Sequence, residues 1–259
     1  MMDEQSDVLD LLAGHTDDTT IERLTFECLL NGVVDDRVNS LMHVLGWGSA
    51  FPCFAIGGTP REHPASTSRM LRQAVHDLGG AHALVGAAGT MVMVLATQES
   101  AVRPEVLCTN VLDAFADNQA VYISPVREGI VGASQTIRET YFSLQAAPAW
   151  LDAPRPVRDD DLLPERALLG DPMARDELYI NVYRVVLGDS EDDASFNTVS
   201  TFLRHGGSLE ATAKELNVHP NTVRYRLKRA AETSGWDATD PRDAFVLNTA
   251  IAIGRMRDH

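Results

Sequence analysis

Cysteine is scarce: Cys28, Cys53 and Cys108 stand alone in 259 residues, far apart and without a C-x-x-C pair. That excludes a disulfide framework and points to buried thiols in a reducing compartment. The N-terminus, Met-Met-Asp-Glu-Gln-Ser-Asp, lacks the basic and apolar regions of a signal peptide. The longest uncharged apolar run, Ala83 to Ala96, is too short to span a bilayer and is interrupted by Gly86 and Gly89. A cytoplasmic protein that stays off the membrane is expected. None of the eight histidines falls in an H-E-x-x-H or a His/Cys ligand pattern, so no metal is expected. Gly57-Gly58 and Gly79-Gly80 belong to no phosphate-binding loop, and no G-x-S-x-G elbow occurs. The sequence nominates no catalytic residue and no cofactor, and the expectation is a protein that is not an enzyme.

Positive charge is also in short supply, with 22 Lys+Arg against 37 Asp+Glu and a net charge of −15. Its distribution is uneven. From Phe196 onward there are 9 basic and 7 acidic residues, which leaves 13 basic and 30 acidic upstream. Phosphate is repelled by most of the molecule and tolerated at one end, so nucleic acid would be bound only there and with strong salt dependence.

The favoured end is residues 208–229, which read as two short helices and a tight turn. Ala211, Ala213 and Leu216 give the first helix an apolar side; Val218, Val223, Leu227 and Ala230 supply the matching side. Asn217 stands where the turn wants φ > 0. Pro220 falls at the first helical position, where a missing N–H costs nothing. Between Pro220 and Arg229 there are four cations and no acid. This is a helix-turn-helix with a basic second helix, which can lie in a DNA major groove. At about 100° per residue, Val223, Leu227 and Ala230 share the buried side. Asn221, Tyr225 and Lys228 face away, Thr222 and Arg229 lie more laterally, and Arg224 and Arg226 flank the two sides. Asn221 and Thr222, near the helix start, are the expected base readers. Arg224, Arg226, Lys228 and Arg229 are better placed for phosphates, though any of the arginines could also read guanine. Ser208 should cap the first helix and His219 the second. The expected partner is double-stranded DNA. One such module reads few bases, so a homodimer on two half-sites is expected.

Upstream, Ile21, Leu24 and Cys28 mark a helix, and Val38, Leu41, Met42 and Leu45 a second. Such a pair packs on a neighbouring domain or on a second copy of itself. Phe51–Gly57 reads as a buried strand, Ser66/Thr67–Leu78 as a helix, and Ala83–Ala96 as a hairpin turning at Gly86-Ala-Ala-Gly89. A helix over Pro104–Ala116, a strand at Val121–Ser124 and a helix over Ser134–Ala146 follow. The order β-α-β-β-α-β-α predicts a helix-covered sheet of the ferredoxin-like type. Residues 148–164 have connector composition, and helical pattern resumes at 164–169 and 174–187. Gly188–Asp193 is a short acidic linker. A final helix, Ala244–Met256, would close a helical core with Phe245, Leu247, Ile251 and Ile253.

Gly207 to Ala213, His219 to Arg229, Thr233–Trp236 and Asp240-Pro-Arg-Asp243 together resemble the C-terminal helix-turn-helix of the PucR family of bacterial transcriptional regulators. The likeness covers about Val199 to Ile253. Its two-helix core also resembles the Fis-type motif, in which Gly takes the place of Asn217. Leu162–Asp171 resembles the family's joining segment. The middle of the chain is similar to the CdaR-type, GGDEF-like domain. The counterpart of a cyclase's signature hairpin, Ala87-Ala-Gly-Thr-Met91, has no carboxylate to hold Mg²⁺, so the resemblance implies that fold without cyclase chemistry. It further implies an effector-responsive regulator, leaning toward activation, with an unidentified small-molecule effector. Relatives often carry an N-terminal sensory domain, whereas about fifty residues precede the sheet here. The alternative is a nucleotide sensor of the c-di-GMP type on a catalytically dead domain. The expected architecture is α+β: an acidic tail (1–18), a helical segment (19–47), a ferredoxin-like, GGDEF-like α/β sandwich (48–147), a linker with connecting helices (148–194) and an all-α helix-turn-helix domain (195–259).

Overall fold

A computed structural model describes residues 18–188 and 193–258. The acidic tail, except its last residue, and most of the acidic linker lie outside the described residues. The chain divides into two compact units, one reaching to Leu162 and one beginning at Leu163.

The first unit is built on a sheet in the order β2-β3-β1-β4, with neighbouring strands antiparallel: β1 (Pro52–Gly58), β2 (Ala83–Ala88), β3 (Met91–Thr97) and β4 (Val121–Ile123). A two-residue strand, β5 (Arg127–Glu128), which no periodicity announces, pairs with the start of β1. With α3 (Pro64–Asp77) between β1 and β2 and α4 (Pro104–Val111) between β3 and β4, this is the ferredoxin-like arrangement. Side chains alternate between the two faces. Phe54, Ile56, Val92 and Val94 pack with Leu71 and Val75 of α3 and with Leu107 and Val111 of α4. Cys53, Ala55, Leu84, Met93 and Leu95 face the opposite way. That second face is covered by α1 (Asp18–Leu30), α2 (Asp36–Val44) and α5 (Gly129–Ala146). The N-terminal helix pair therefore packs on the chain's own sheet. Burial pushes the Cys53 thiol up to about 12, and all three cysteines are free.

Several local expectations shift. In α1 the buried stripe is Ile21, Thr25, Phe26 and Leu29, while Leu24 points outward. Thr25 can lie inside because its hydroxyl donates to the Ile21 carbonyl at 2.7 Å, so its polarity is satisfied within the helix. Helix α3 begins two residues early, because His63 caps it and Pro64 takes the first position. Helix α5 begins five residues before the expected start, directly after β5. The hairpin turns at Gly89-Thr90, since Ala88 pairs with Met91. Gly89 has φ 59, as the first central position of a two-residue hairpin turn can require. Gly86 lies inside β2, where an added Cβ would come within 2.1 Å of the Phe26 ring.

Of the stretch read as linker and connecting helices, residues 148–162 lie with the first unit and 163–188 with the second. Val157 joins the sheet edge: its N–H donates to Val121 at 2.8 Å and its carbonyl accepts from Ile123 at 3.0 Å.

The second unit is helical among its described residues: α6 (Leu163–Leu168), α7 (Pro172–Glu177), a π-helical turn (Leu178–Tyr183), α8 (Arg184–Leu187), α9 (Ala194–Arg204), α10 (Leu209–Leu216), α11 (Pro220–Ser234) and α12 (Pro241–Asp258). One core runs from Leu163 through Tyr183, Phe196 and Leu227 to Ile253. Val246 and Ala250 occupy the buried side of α12, and Phe245 is turned out beside Arg242. Glu165 accepts from both terminal nitrogens of Arg242, one at 2.8 Å. Arg166 and Asp171 form a buried pair at 2.8 Å.

Candidate nucleic-acid interface

Asp193 opens α9, accepting from the N–H groups of Ser195 and Phe196 at 2.6 and 3.2 Å. Those backbone bonds hold its carboxyl below the usual range. Gly206 and Gly207, at φ 61 and 85, turn the chain into α10. Ser208 caps α10, its Oγ accepting from Ala211 N–H at 3.2 Å. The helix ends on Asn217 at φ 50, ψ 48. The Val218 N–H then reaches the Ala213 carbonyl at 3.0 Å and the Asn217 N–H reaches Lys214 at 3.4 Å. This is a Schellman closure, with Asn in the place glycine usually takes. His219 caps α11, its Nδ1 accepting from Asn221 N–H at 3.1 Å, and Pro220 holds the first helical position.

On the inner side Val223, Leu227 and Ala230 are buried, and with Ala213 they join Phe196, Val199 and Phe202 of α9. Val218 is half-buried against this core. Leu216 is half-exposed, and Thr212 is buried on that side of α10 instead. Thr212 fits because its hydroxyl donates to the Ser208 carbonyl at 2.7 Å.

On the outer side Asn221, Arg224, Tyr225, Lys228 and Arg229 are exposed, Tyr225 by 67%. Thr222 is half-buried. Arg226 leans on α9, its Nη1 lying 3.5 Å from Thr198 Oγ1. Ser208 and His219 are exposed at the starts of their helices, and Pro220 is half-buried. The second helix carries one acid, Glu232, a turn beyond Lys228 and 3.7 Å from it. A cavity of about 550 Å³ beside α11 has Arg224 and Lys228 on its lining together with Glu232 and Asp237. The surface thus changes sign toward the end of α11.

Three contacts escaped the sequence reading. Arg224 Nη1 donates to Asn221 Oδ1 at 2.8 Å; the i, i+3 spacing was the available signal. Glu215 ties α10 back to α9 through Arg204 and through His205 Nε2 at 2.6 Å. The His205 hydrogen bond and the nearby Arg204 charge hold the Glu215 carboxyl below its ordinary value.

A ferredoxin-like sheet unit followed by a helix-turn-helix unit with a cationic outer helix is the build of a transcriptional regulator. The profile of the PucR C-terminal helix-turn-helix domain matches residues 196–253, and that of the GGDEF-like domain matches residues 31–145. The crystal structure of a regulator of polyketide synthase expression from Bifidobacterium adolescentis is similar, at 65% sequence identity and a TM-score of 0.92, covering 97% of this chain and 99% of that one. An uncharacterized protein of Mycobacterium tuberculosis is 34% identical over 252 residues, covering 94% of this chain and 60% of its own length. The purine catabolism regulatory protein of Bacillus subtilis is 36% identical over 66 residues, 26% of this chain and 12% of that protein. The chain belongs to the PucR family of transcriptional regulators. It spans about 60% of the length of its mycobacterial relatives. Among the described residues no helix is long and apolar enough to cross a membrane.

Proposed function

We propose that the chain acts in the cytoplasm as a DNA-binding regulator, inserting α11 into the major groove of an operator half-site. The observation that carries this is the outer stripe of α11: Asn221, Arg224, Tyr225 and Lys228 are all exposed and contain no acid, in a chain of net charge −15. Arg229 on the lateral side suits a phosphate, as does the start of α10 at Ser208. Thr222, His219 and Pro220 lie at the end of α11 that enters first. Arg226 leans toward Thr198 through one nitrogen, which leaves its other donors for a phosphate. The reading includes a homodimer on paired half-sites, control by a small-molecule effector, and activation rather than repression. A cavity of about 390 Å³ beside β4, walled in part by Leu144, Trp150 and Arg155, offers an effector room in the first unit. No catalytic role is assigned: residues 83–97, which form the hairpin, contain no carboxylate to hold a metal.

The test is a gel-shift titration over the DNA upstream of the chain's own gene, at two salt concentrations. The double variant Arg224→Ala plus Lys228→Ala should bind far more weakly and with a smaller salt slope. Unchanged binding by that variant would remove α11 from the interface. Light scattering of the free protein checks the dimer.

A further inference from the structure

The hydrogen bond between Arg224 and Asn221 alters what each side chain can ask of a base pair. Asn reads adenine by accepting from N6 with its carbonyl oxygen while donating to N7 with its amide nitrogen. Here Oδ1 of Asn221 already receives Arg224 Nη1 at 2.8 Å. A second lone pair remains on that oxygen, but an adenine could use it only in the amide orientation that the guanidinium sets. Arg224 is less constrained. One of its five N–H donors is engaged, and the remaining fork still matches the paired acceptors O6 and N7 of guanine. The bond also draws the guanidinium along the outer stripe toward the start of the helix. The nearby cations differ: Lys228 pairs with Glu232 and Arg226 leans on Thr198.

We propose that Arg224 is the base-reading residue of α11 and selects a guanine in each half-site, and that Asn221 is a positioning residue that holds its guanidinium. This departs from the roles expected from position along the helix, and it rests on the reading of α11 as the recognition helix. Both side chains are exposed, so their replacement leaves the core intact.

The experiment is selection from a pool of random duplexes by the full chain and by Arg224→Ala, Arg224→Lys and Asn221→Ala. Anisotropy titrations follow on the selected duplex, with single guanines replaced by 7-deazaguanine. The wild-type chain should lose about tenfold or more in affinity when one particular guanine per half-site loses its N7. Arg224→Lys should keep the salt slope and lose that preference, because a point charge lacks the fork. Asn221→Ala should weaken the same preference in part and leave other positions alone. Two outcomes overturn the proposal while leaving α11 on the DNA: Asn221→Ala abolishing a preference for adenine while Arg224→Ala weakens all sequences equally, or Arg224→Lys retaining the guanine preference. Failure of the wild-type chain to enrich any sequence overturns the recognition-helix reading as well.

Discussion

Replacing Asn217 isolates the backbone contribution of the turn from everything else in the helix-turn-helix. At φ 50, ψ 48 the residue is left-handed, the one non-glycine residue with positive φ among the described residues. That conformation costs an ordinary L-residue roughly 1–2 kcal/mol, and Asn less. Alanine at 217 should therefore destabilise the second unit by about 1 kcal/mol, and the β-branched valine by about 2 kcal/mol. Glycine removes the strain but adds about 0.5–1 kcal/mol of chain entropy to the unfolded state, so Asn217→Gly should lie near the wild type or slightly above it. For a unit of this size 1 kcal/mol corresponds to about 4–8 °C in Tm. Because the chain has two units, the probe must be local. Trp236 packs against the second core while Trp47 and Trp150 belong to the first unit, so fluorescence in a Trp47→Phe, Trp150→Phe background follows the right transition. Amide exchange at Val218, whose N–H is bonded to Ala213, gives the same information residue by residue. The expected order is Gly at or above Asn, then Ala, then Val. A valine variant as stable as the wild type, or a glycine variant less stable than alanine, would refute the reasoning.

Gly86→Ala should destabilise the first unit by about 1–3 kcal/mol, measured by urea unfolding, with a smaller cost in a Phe26→Ala background because the colliding ring is gone. The Asp193 carboxyl is depressed in the folded state, so its contribution is present above the unfolded carboxyl value of about 3.9 and is lost as pH falls through the lower folded value. Asp193→Asn should keep the cap and flatten the acid limb of stability against pH, while Asp193→Ala should cost about 1 kcal/mol at neutral pH. A fragment spanning 163–258 should give a cooperative melt in circular dichroism, whereas one spanning 194–258 should not. The shorter piece lacks Leu178, Val182 and Tyr183, which share a core with Phe196 and Ile253.

What was legible in the sequence is what depends on neighbours a few residues away. Ser208, Asn217 and Pro220 do their work within one turn of chain, and their types announced α10, its left-handed end and the start of α11. The inner side of α11 followed from the 100° step, because Val223, Leu227 and Ala230 had no polar competitor. Errors arose where polarity was satisfied locally. Thr25 and Thr212 are buried because each hydroxyl returns to a carbonyl four residues back, so an apolar-only stripe skipped both. Strand β5 has two residues, too few to show an alternation. The outer stripe of α11 was readable as a set, but not the division of labour between Asn221 and Arg224, which depends on rotamers.

The hairpin glycines show why the same letter can be read correctly at one position and wrongly at another. Gly86 and Gly89, three apart, both look like turn residues, and only Gly89 adopts positive φ. Gly86 stands in register with Met93, and Met93 with Gly57, which in turn faces Tyr122. Small and large residues therefore alternate along one row of four strands. The row lies on the face that α1 and α5 cover. A Cβ on Gly86 would meet Phe26 of α1 at 2.1 Å, and one on Gly57 would meet Thr140 of α5 at 2.8 Å and Met93 at 2.6 Å. Each glycine is a gap in the sheet surface into which a helix side chain descends, and Met93 stands between the two gaps. A Gly-to-Ala change at either gap should raise one helix while the other stays seated, and changes at both should add. Sequence spacing could not reveal this, because the partners are sixty and eighty-three residues away and the signal exists only once three strands are in register.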